Sequence, residues 1–178
     1  MNHLYADVYS PDGVTLQGSG SVEVLSISAQ SMLDGAGKVR CEFRLTNAKA
    51  LALMALKGVV RLYVDDEINP IREVATFVID NISDSPASGR RTVTGPDVLT
   101  LLTYDDSGRR LRYDNQTLTA IVTNLATHMG WTVSAGAEVA TQSTSAQYNY
   151  TDIYRCIADS LSPFGFHFRL NETFKQLE

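Results

Sequence analysis

Residues 58–104 decide the fold, and they read GVVRLYVDDEINPIREVATFVIDNISDSPASGRRTVTGPDVLTLLTY. In the first part of this stretch, Val60, Leu62 and Val64 alternate with polar or amphipathic residues, which is the period-two pattern of a half-buried strand. The acidic run at 65–67 that follows is typical of a hairpin turn. The stretch therefore begins with a strand and a turn.

Two more strands complete this stretch. Phe77 and Ile79 continue the alternation, and the sequence SPASG at 85–89 is a turn cluster. The sequence RTVT at 91–94 reads as a third short strand, and TGPD at 94–97 then leads into a short apolar helix. This order of elements predicts a mostly antiparallel β module.

The cleanest strand pattern of the chain precedes this stretch, at residues 38–45. The expected inward residues are Val39, Cys41, Phe43 and Leu45, and the expected outward residues are Lys38, Arg40, Glu42 and Arg44. The outward row alternates in charge, as an exposed sheet face or a subunit contact would. Residues 21–29 form another strand, whose apolar face changes phase after Val24, and this indicates a bulge or a bend at a barrel corner.

Two further assignments concern the ends of these strands. Residues 1–10 are weakly patterned, and we expect them to form a flexible or partner-dependent arm. Asn47 is a suitable N-cap for a helix that extends through Lys57 and is closed by Gly58. This helix is apolar over a wide arc, so it could plug the open end of a barrel.

The pattern changes after Tyr104. Thr117 is expected to cap a helix with one apolar stripe, which Gly130 ends before a strand begins at Trp131. Residues 136–147 are rich in Ser, Thr, Ala and Gln, and they are predicted to be a polar linker.

A second helix-then-strand unit follows. Thr151 is expected to cap a helix ended by Pro163 and Gly165, and residues 166–170 alternate as a strand. The whole chain is therefore predicted to be α+β, with a mostly antiparallel β-barrel-like module at 1–104 and a small α+β lobe at 105–178.

The length, composition and net charge of the chain limit the classes of function. The 178 residues carry a net charge of −5, which argues against broad electrostatic binding to nucleic acid. Arginines at 90, 91, 109, 110 and 112 leave a phosphate-binding patch open as an alternative, but they are expected in solvated turns. The sequence shows no secretory signal and no apolar run of about 20 residues that would span a membrane. We therefore expect a soluble protein made in a cytoplasm, with two buried thiols, Cys41 and Cys156, rather than a disulfide.

Signatures of catalysis and metal binding are weak. The three histidines are isolated in sequence and show none of the usual zinc spacings. The acidic runs at 65–67 and 105–106 are assigned to turns rather than to a calcium loop or a glycosidase pair. We therefore predict no catalytic residue, no metal and no cofactor. Trp131 with Tyr148, Tyr150 and Tyr154 leaves a carbohydrate-binding alternative open, although packing is the commoner fate of such residues.

Three segments resemble the N-terminal part of phage tail hub and baseplate hub proteins, whose fold is shared with type VI secretion spike proteins. The first is TGPDVL at 94–99, which follows an alternating strand. The second runs from LTAIV at 118–122 to MGW at 129–131, where a short helix ends in Gly-Trp before a strand. The third runs from TDIYRCIA at 151–158 to FGFHFR at 164–169. The resemblance covers nearly the whole chain, although only one barrel is evident here, whereas hubs of this family have two per subunit.

The resemblance implies a structural role in a virion. Family hubs are trimers that adapt the tail tube to the tip or spike. The resemblance therefore implies a homo-oligomer, expected to be a trimer, with the tail tube and the tip or spike proteins as partners. It also implies a place at the virion tail tip after assembly in the bacterial host cytoplasm. The residues expected to make contacts are Arg40, Glu42, Arg44, Asp65 and Asp66. The alternative function is a cell-wall or carbohydrate-binding module of a tail protein.

Overall fold

Two structural units make up the protein. The computed structural model describes residues 3–32, 35–66, 68–103, 110–149, 151–169 and 175–178. One unit comprises Met1–Met32 and Ala36–Val98, and the other comprises Leu33–Gly35 and Leu99–Glu178. The predicted domain boundary between residues 104 and 105 lies outside the described residues, and it stays a prediction.

The described residues of the first unit form eight strands and one short helix. In chain order these are β1 (His3–Tyr9), β2 (Val22–Glu23), β3 (Ser26–Met32), β4 (Gly35–Arg44), α1 (Ala48–Leu53), β5 (Val59–Asp65), β6 (Arg72–Val78), β7 (Asn81–Ser85) and β8 (Arg90–Pro96). The strands form two four-stranded sheets, ordered β2-β1-β5-β6 and β3-β4-β8-β7. All pairings of the first sheet are antiparallel, as are β4–β8 and β7–β8. The α+β class with antiparallel sheets is confirmed, whereas the barrel stays a prediction.

The hydrophobic core of this unit draws on both sheets. Leu62 and Phe77 from the first sheet and Phe43 and Val93 from the second are fully buried in one cluster. The inward row predicted for β4 is confirmed at its first three positions, because Val39, Cys41 and Phe43 are buried while Leu45 is partly exposed.

The predicted N-terminal arm is wrong for the described residues of that segment. β1 lies between β2 and β5 in the first sheet. Ala6 and Val8 are buried in the core, and the seven residues of β1 pair in register with β5. The segment was misjudged because its outward positions carry His3, Tyr5 and Tyr9, whose amphipathic side chains blur the alternation.

At two corners, the chain passes directly from one sheet to the other. The Val24 amide donates to the Leu4 carbonyl at 2.9 Å in the first sheet, and the next amide, of Leu25, donates to the Glu42 carbonyl at 2.8 Å in the second. This change of sheet confirms the bend predicted from the phase change after Val24. The second corner has the same form, since the Ile79 amide donates to Gly58 and the Asp80 amide donates to Thr94.

Two glycines allow close backbone approach: Gly95 of the TGPD sequence lies against β6 of the other sheet, and Gly37 in β4 lies against β3 of its own sheet. A Cβ atom on Gly95 would lie 1.8 Å from the Val78 carbonyl oxygen, and one on Gly37 would lie 2.0 Å from the Gln30 carbonyl oxygen. Asp97 stabilises the approach at Gly37, because its Oδ2 accepts from the Gly37 amide at 2.7 Å and its own amide donates to the Gly37 carbonyl at 3.0 Å. Glycine is therefore required at both close approaches for steric reasons.

α1 is shorter than predicted. The Asn47 cap is confirmed, with its Oδ1 accepting from the Ala50 amide at 3.1 Å, but the helix ends at Leu53 because Met54 is extended and turns its side chain into the core. The Arg91 guanidinium holds the helix to the sheet. It pairs with both Asp84 oxygens at 2.8 Å and also donates to the carbonyls at 50 and 51.

The second unit packs helices against short strands. Its elements are β9 (Arg110–Thr117), α2 (Leu118–Thr127), β10 (Thr132–Val133), α3 (Ala137–Ala140), β11 (Ser143–Asn149), α4 (Ile153–Leu161) and β12 (Gln176–Leu177). β9 pairs with β11 in antiparallel orientation, and β10 pairs with β12 in parallel. Short 3₁₀ helices cover Val98–Thr103, where an apolar helix was predicted, and Ser162–Phe164.

The helices predicted in this unit are confirmed, although the N-cap of one of them is a different residue. Thr117 caps α2 as predicted, and the predicted stripe on α4 is buried at Ile153, Ile157 and Leu161. The cap of α4 is Asp152 rather than Thr151, and its carboxylate accepts from the Arg155 amide at 2.8 Å. Asp152 performs this role because its backbone is the last to be extended before the helix.

Two other predictions in this unit are wrong. The predicted linker at 136–147 contains α3 and most of β11, which the pairing with β9 stabilises despite a composition of small polar residues. Residues 166–169 of the predicted strand form no strand, and Leu170 lies outside the described residues. Phe168 is nevertheless buried, and Arg169 exchanges two main-chain hydrogen bonds with Glu178, at 3.0 and 3.1 Å.

Gly95→Ala tests the close approach between the sheets. The added methyl group would overlap a main-chain oxygen that cannot rotate away, so we expect a loss of about 3 kcal/mol in unfolding free energy, the upper end of the usual cost of overpacking. Urea denaturation followed by circular dichroism measures this change. Gly136→Ala is the matched control, because nothing lies within 4 Å of a Cβ there, and it should cost less than about 1 kcal/mol. Equal stabilities for the two variants would contradict the steric explanation.

Candidate interaction surface

Three of the five predicted contact residues lie together on the outer row of β4. One Arg40 Nη donates to Glu42 Oε1 at 2.7 Å, and one Arg90 Nη, from the neighbouring strand β8, donates to Glu42 Oε2 at 2.6 Å. Both guanidinium groups are about half exposed, at 57% and 52% of the side chain, whereas Glu42 is only 13% exposed. Glu42 is therefore the centre of a two-strand ion network with its cations facing outwards.

The electrostatics of this network follow from the strand register. Arg44 lies directly opposite Arg90 in the ladder, which places two like charges side by side. Glu42 offsets that repulsion by its bond to Arg90. The bonds from Arg40 and then Arg90 lower the pKa of the Glu42 carboxyl below its ordinary value. The carboxylate is therefore ionised at neutral pH.

The β8 arginines correct one sequence prediction. Arg90 and Arg91 begin a strand instead of lying in a solvated turn, and both form ion pairs. Arg110 and Arg112 likewise belong to β9, while Arg109 lies outside the described residues. The ion network could not be seen in the sequence, because Glu42 and Arg90 are 48 positions apart.

A shallow cleft of about 470 Å³ adjoins the outer row of β4. Lys38, Arg40 and Asp80 line it, together with the backbone at the two close-approach glycines, Gly37 and Gly95. The cleft and the row together form what we call the β4 face, defined by Lys38, Arg40, Glu42, Arg44, Asp80 and Arg90.

The β4 face carries an excess of positive charge. It has four cationic and two anionic side chains, whereas the whole chain has 15 basic and 20 acidic residues. The rest of the chain is correspondingly more acidic. A surface of this kind favours a partner with negative charge, because complementary potentials speed encounter and fix orientation.

The other two predicted contact residues lie on the first sheet, away from the β4 row. Asp65 ends β5, opposite His3 in the ladder with β1. Asp66 organises the β5–β6 turn, because its Oδ1 accepts from the amides of Ile68 and Asn69 at 3.1 and 2.7 Å. Hydrogen bonds from Asn69, first from its side chain and then from its amide, lower the pKa of the Asp66 carboxyl. The five predicted contact residues thus lie at two separate positions on the surface rather than in one patch.

The aromatic residues of the carbohydrate-binding alternative lie largely inside the second unit. Trp131 is only 1% exposed, and Tyr148 is buried with its hydroxyl 2.6 Å from Ser160 Oγ. Tyr154 is partly buried against Phe168, and Tyr150 lies outside the described residues. A buried indole cannot stack on a sugar ring, so nothing here favours the carbohydrate-binding alternative over packing.

Groups capable of covalent or metal chemistry are not gathered into a site. Cys41 and Cys156 are free and buried, and burial raises the pKa of each thiol to about 12, so both are protonated. Within the described ranges, no three His, Cys, Asp or Glu side chains are placed to hold a metal ion together. The helices in those ranges include none that is long and apolar enough to cross a membrane.

Comparison of sequences identifies no relative. No family model matches the chain, and no curated protein matches it either. The fold must therefore be compared through solved structures.

Three of the similar solved structures are prophage or bacterial tail proteins. They are the 43 kDa tail protein of prophage MuSo2 from Shewanella oneidensis (TM-score 0.61, 17% identity, 99% of this chain and 53% of that one), a tail protein from Neisseria meningitidis (0.62, 13%, 98% and 49%) and a prophage tail protein from Listeria monocytogenes (0.64, 9%, 97% and 49%). The chain spans about half the length of these proteins. It also resembles a chain of the Francisella PdpA–VgrG complex (0.56, 10%, 99% and 31%). The protein therefore has the fold that these tail and VgrG-complex chains share, as the sequence resemblance predicted.

Glu42→Gln tests the ion network on the β4 face. Since the folded-state pKa of Glu42 is lowered from its usual value near 4.5, its carboxylate stabilises the fold above that value and loses this effect as the pH falls through the lowered pKa. We expect the variant to melt at a lower temperature than the wild type at neutral pH, and the difference to shrink in acid.

Thermal melts across a series of pH values measure this effect. Glu23→Gln is the control, because Glu23 is exposed on β2 and has no ion pair with a described residue. A difference between Glu42→Gln and wild type that stays constant from neutral to acid pH would contradict the network as described.

Proposed function

We propose that this protein is a structural component of a phage or prophage tail, and that it acts as a tail hub or baseplate hub that adapts the tail tube to the tip or spike. The observation that supports the proposal is the match of 97–99% of the chain to three tail proteins at TM-scores of 0.61–0.64. The similarity to a chain of the PdpA–VgrG complex adds support, because that structure is of two proteins, PdpA and VgrG, bound in one complex.

The proposed hub role includes a β-barrel as its building block. Six pairs of hydrogen-bonded neighbouring strands support closure of the barrel. They are β2–β1, β1–β5, β5–β6, β3–β4, β4–β8 and β8–β7. The corners at Val24–Leu25 and Ile79–Asp80 join these into a circuit, because each corner belongs to both sheets. A barrel without free edges suits a ring subunit, since unpaired edges invite uncontrolled association.

We propose that the protein works as a homo-oligomer, with threefold symmetry, at the tip of the tail. The family resemblance is the reason for choosing a trimer. The β4 face is the proposed contact to an acidic neighbour, either the tail tube or the tip protein, because cationic side chains predominate there. The proposed role of the protein is assembly of the tail in the host cytoplasm, and this role requires no cofactor and no catalytic group.

The solution mass is the direct test of the oligomer. Size exclusion with light scattering at several concentrations should give a trimer near three times 19.5 kDa. Labelling of tail particles with an antibody against this chain, viewed by electron microscopy, tests the place of the protein in the virion. Label at one end of the tail is the expected result, and particles without label would overturn the tail role.

Charge reversal tests the β4 face as an interface. Arg40→Glu, Glu42→Arg and Arg44→Glu together invert the row, and Arg90→Glu added to them preserves the ion network in inverted form. Because the fold is retained while the potential changes sign, we expect at least tenfold weaker binding to tail tube or tip proteins. Binding constants from biolayer interferometry measure this. If oligomerisation and tube docking survive unchanged, this face is not an interface.

A further inference from the structure

The last residue pair of the ladder between β4 and β8 brings two arginines together on the outer face of the sheet. Arg44 ends β4 and Arg90 begins β8, and the two residues lie directly opposite each other. Both side chains are exposed. Directly opposed residues of an antiparallel pair have Cα atoms about 5 Å apart and share one face of the sheet, so two like charges there repel each other. We call Arg44 and Arg90 the arginine pair.

Glu42 balances only part of this charge. It accepts from Arg90 at 2.6 Å, but its other carboxylate oxygen accepts from Arg40 at 2.7 Å. One carboxylate therefore serves two guanidinium groups. The Arg44 guanidinium has no ion pair and no hydrogen bond with any residue that the structure describes.

Two further acidic residues, Asp84 and Glu23, do not balance the arginine pair either. Asp84, on β7, uses both carboxylate oxygens to bind Arg91, at 2.8 Å each. Arg91 follows Arg90 in the strand, so its side chain lies on the opposite face of the sheet. Glu23 precedes the corner at Val24–Leu25, and it forms no ion pair with a described residue. The arginine pair therefore retains an excess of positive charge.

The remaining donors of the arginine pair suit one oxyanion. A guanidinium group carries five N–H donors in a planar fork that matches the two oxygens of a carboxylate. Arg90 donates to Glu42 from one nitrogen, and Arg44 donates from none to a described residue, so both retain donors for a further acceptor. An anion bound between the two groups would also offset their mutual repulsion.

The charge of the rest of the chain favours a protein carboxylate over a nucleic acid as this anion. The β4 face has four cations and two anions, whereas the whole chain has a net charge of −5. A nucleic acid is held through several phosphates, and its backbone would extend from the arginine pair over a surface that is acidic on balance. A single side-chain carboxylate contacts the pair alone and avoids that repulsion.

We propose that the arginine pair binds one aspartate or glutamate side chain of a neighbouring tail protein. The carboxylate lies between the guanidinium groups of Arg44 and Arg90, while Glu42 holds Arg90 in place. The inference rests on the proposed function in one respect, that the β4 face contacts an acidic neighbour. It adds that recognition is concentrated at one end of this face and that its target is a single carboxylate.

Titration with a model peptide, followed by NMR, tests the site directly. The probe is the capped tripeptide acetyl-Ala-Glu-Ala-amide, added at low ionic strength because salt screens exposed charges. We expect the Nε–H signals of Arg44 and Arg90 to shift to saturation, and the glutamine counterpart of the peptide to produce no such shift. Absence of a saturable shift at the arginine pair would overturn the proposal. Tighter binding of a single-stranded DNA oligonucleotide than of a polyglutamate peptide of equal charge would overturn the choice of a carboxylate.

Two variants test whether binding is confined to the arginine pair. Arg44→Gln removes one guanidinium group, and we expect it to weaken peptide binding by about threefold or more, the scale of an exposed ion pair. Lys38→Gln is the matched control, because it removes the same charge from the same strand about 20 Å away, and it should leave the dissociation constant unchanged. Equal losses in the two variants, or none in Arg44→Gln, would overturn the proposal. Circular dichroism checks that each variant folds.

The outcomes separate this proposal from the tail role. Tail particles that are labelled as expected, together with no peptide binding at the arginine pair, would overturn the carboxylate site and leave the tail role standing. Tail particles without label, together with saturable binding at the pair, would overturn the tail role and the tail protein as partner, while the carboxylate site itself would stand.

Discussion

Close contact between main chains is the constraint on which the first unit depends. At Gly95 and Gly37 the backbone passes so near to another strand that a single methyl group has no room. The side chain and amide of Asp97 also bind Gly37. The contact at Gly37 lies within the second sheet, between β4 and β3, whereas the contact at Gly95 joins β8 to β6 of the first sheet. Because the contact at Gly95 involves backbone rather than adaptable side chains, it fixes the distance between the sheets, and the core residues fill a space whose dimensions are already set.

The positions of the charged side chains on the outer face depend on the same pairing of strands. Glu42 pairs with arginines on its own strand and on β8, so the register that aligns the core also determines which charges meet on the surface. Exposed ion pairs contribute little to stability, and the value of this network lies in holding the guanidinium groups of Arg40 and Arg90 in a defined pattern. A shift of one residue in β5 would turn Leu62 out of the core.

The sequence predicted the parts of this structure that depend on local pattern. Strict alternation identified β4 and β5, and capping chemistry identified α2, because these signals come from neighbouring residues. The phase change after Val24 even located a corner. β1 was missed because tyrosines replace its polar positions, and β11 was missed because Ser, Thr and Ala give no apolar face. The candidate site was only partly predictable. Arg40, Glu42 and Arg44 were identified as an outward row, but the contribution of Arg90 depends on pairing between distant strands.

The two corners have a mechanical consequence. A single covalent segment carries load from the first sheet into the second at Val24–Leu25, and another does so at Ile79–Asp80. A pulling force along either segment therefore acts on main-chain hydrogen bonds of both sheets at once. Opening of one sheet at a corner disturbs the other sheet there, which couples the local unfolding of the two.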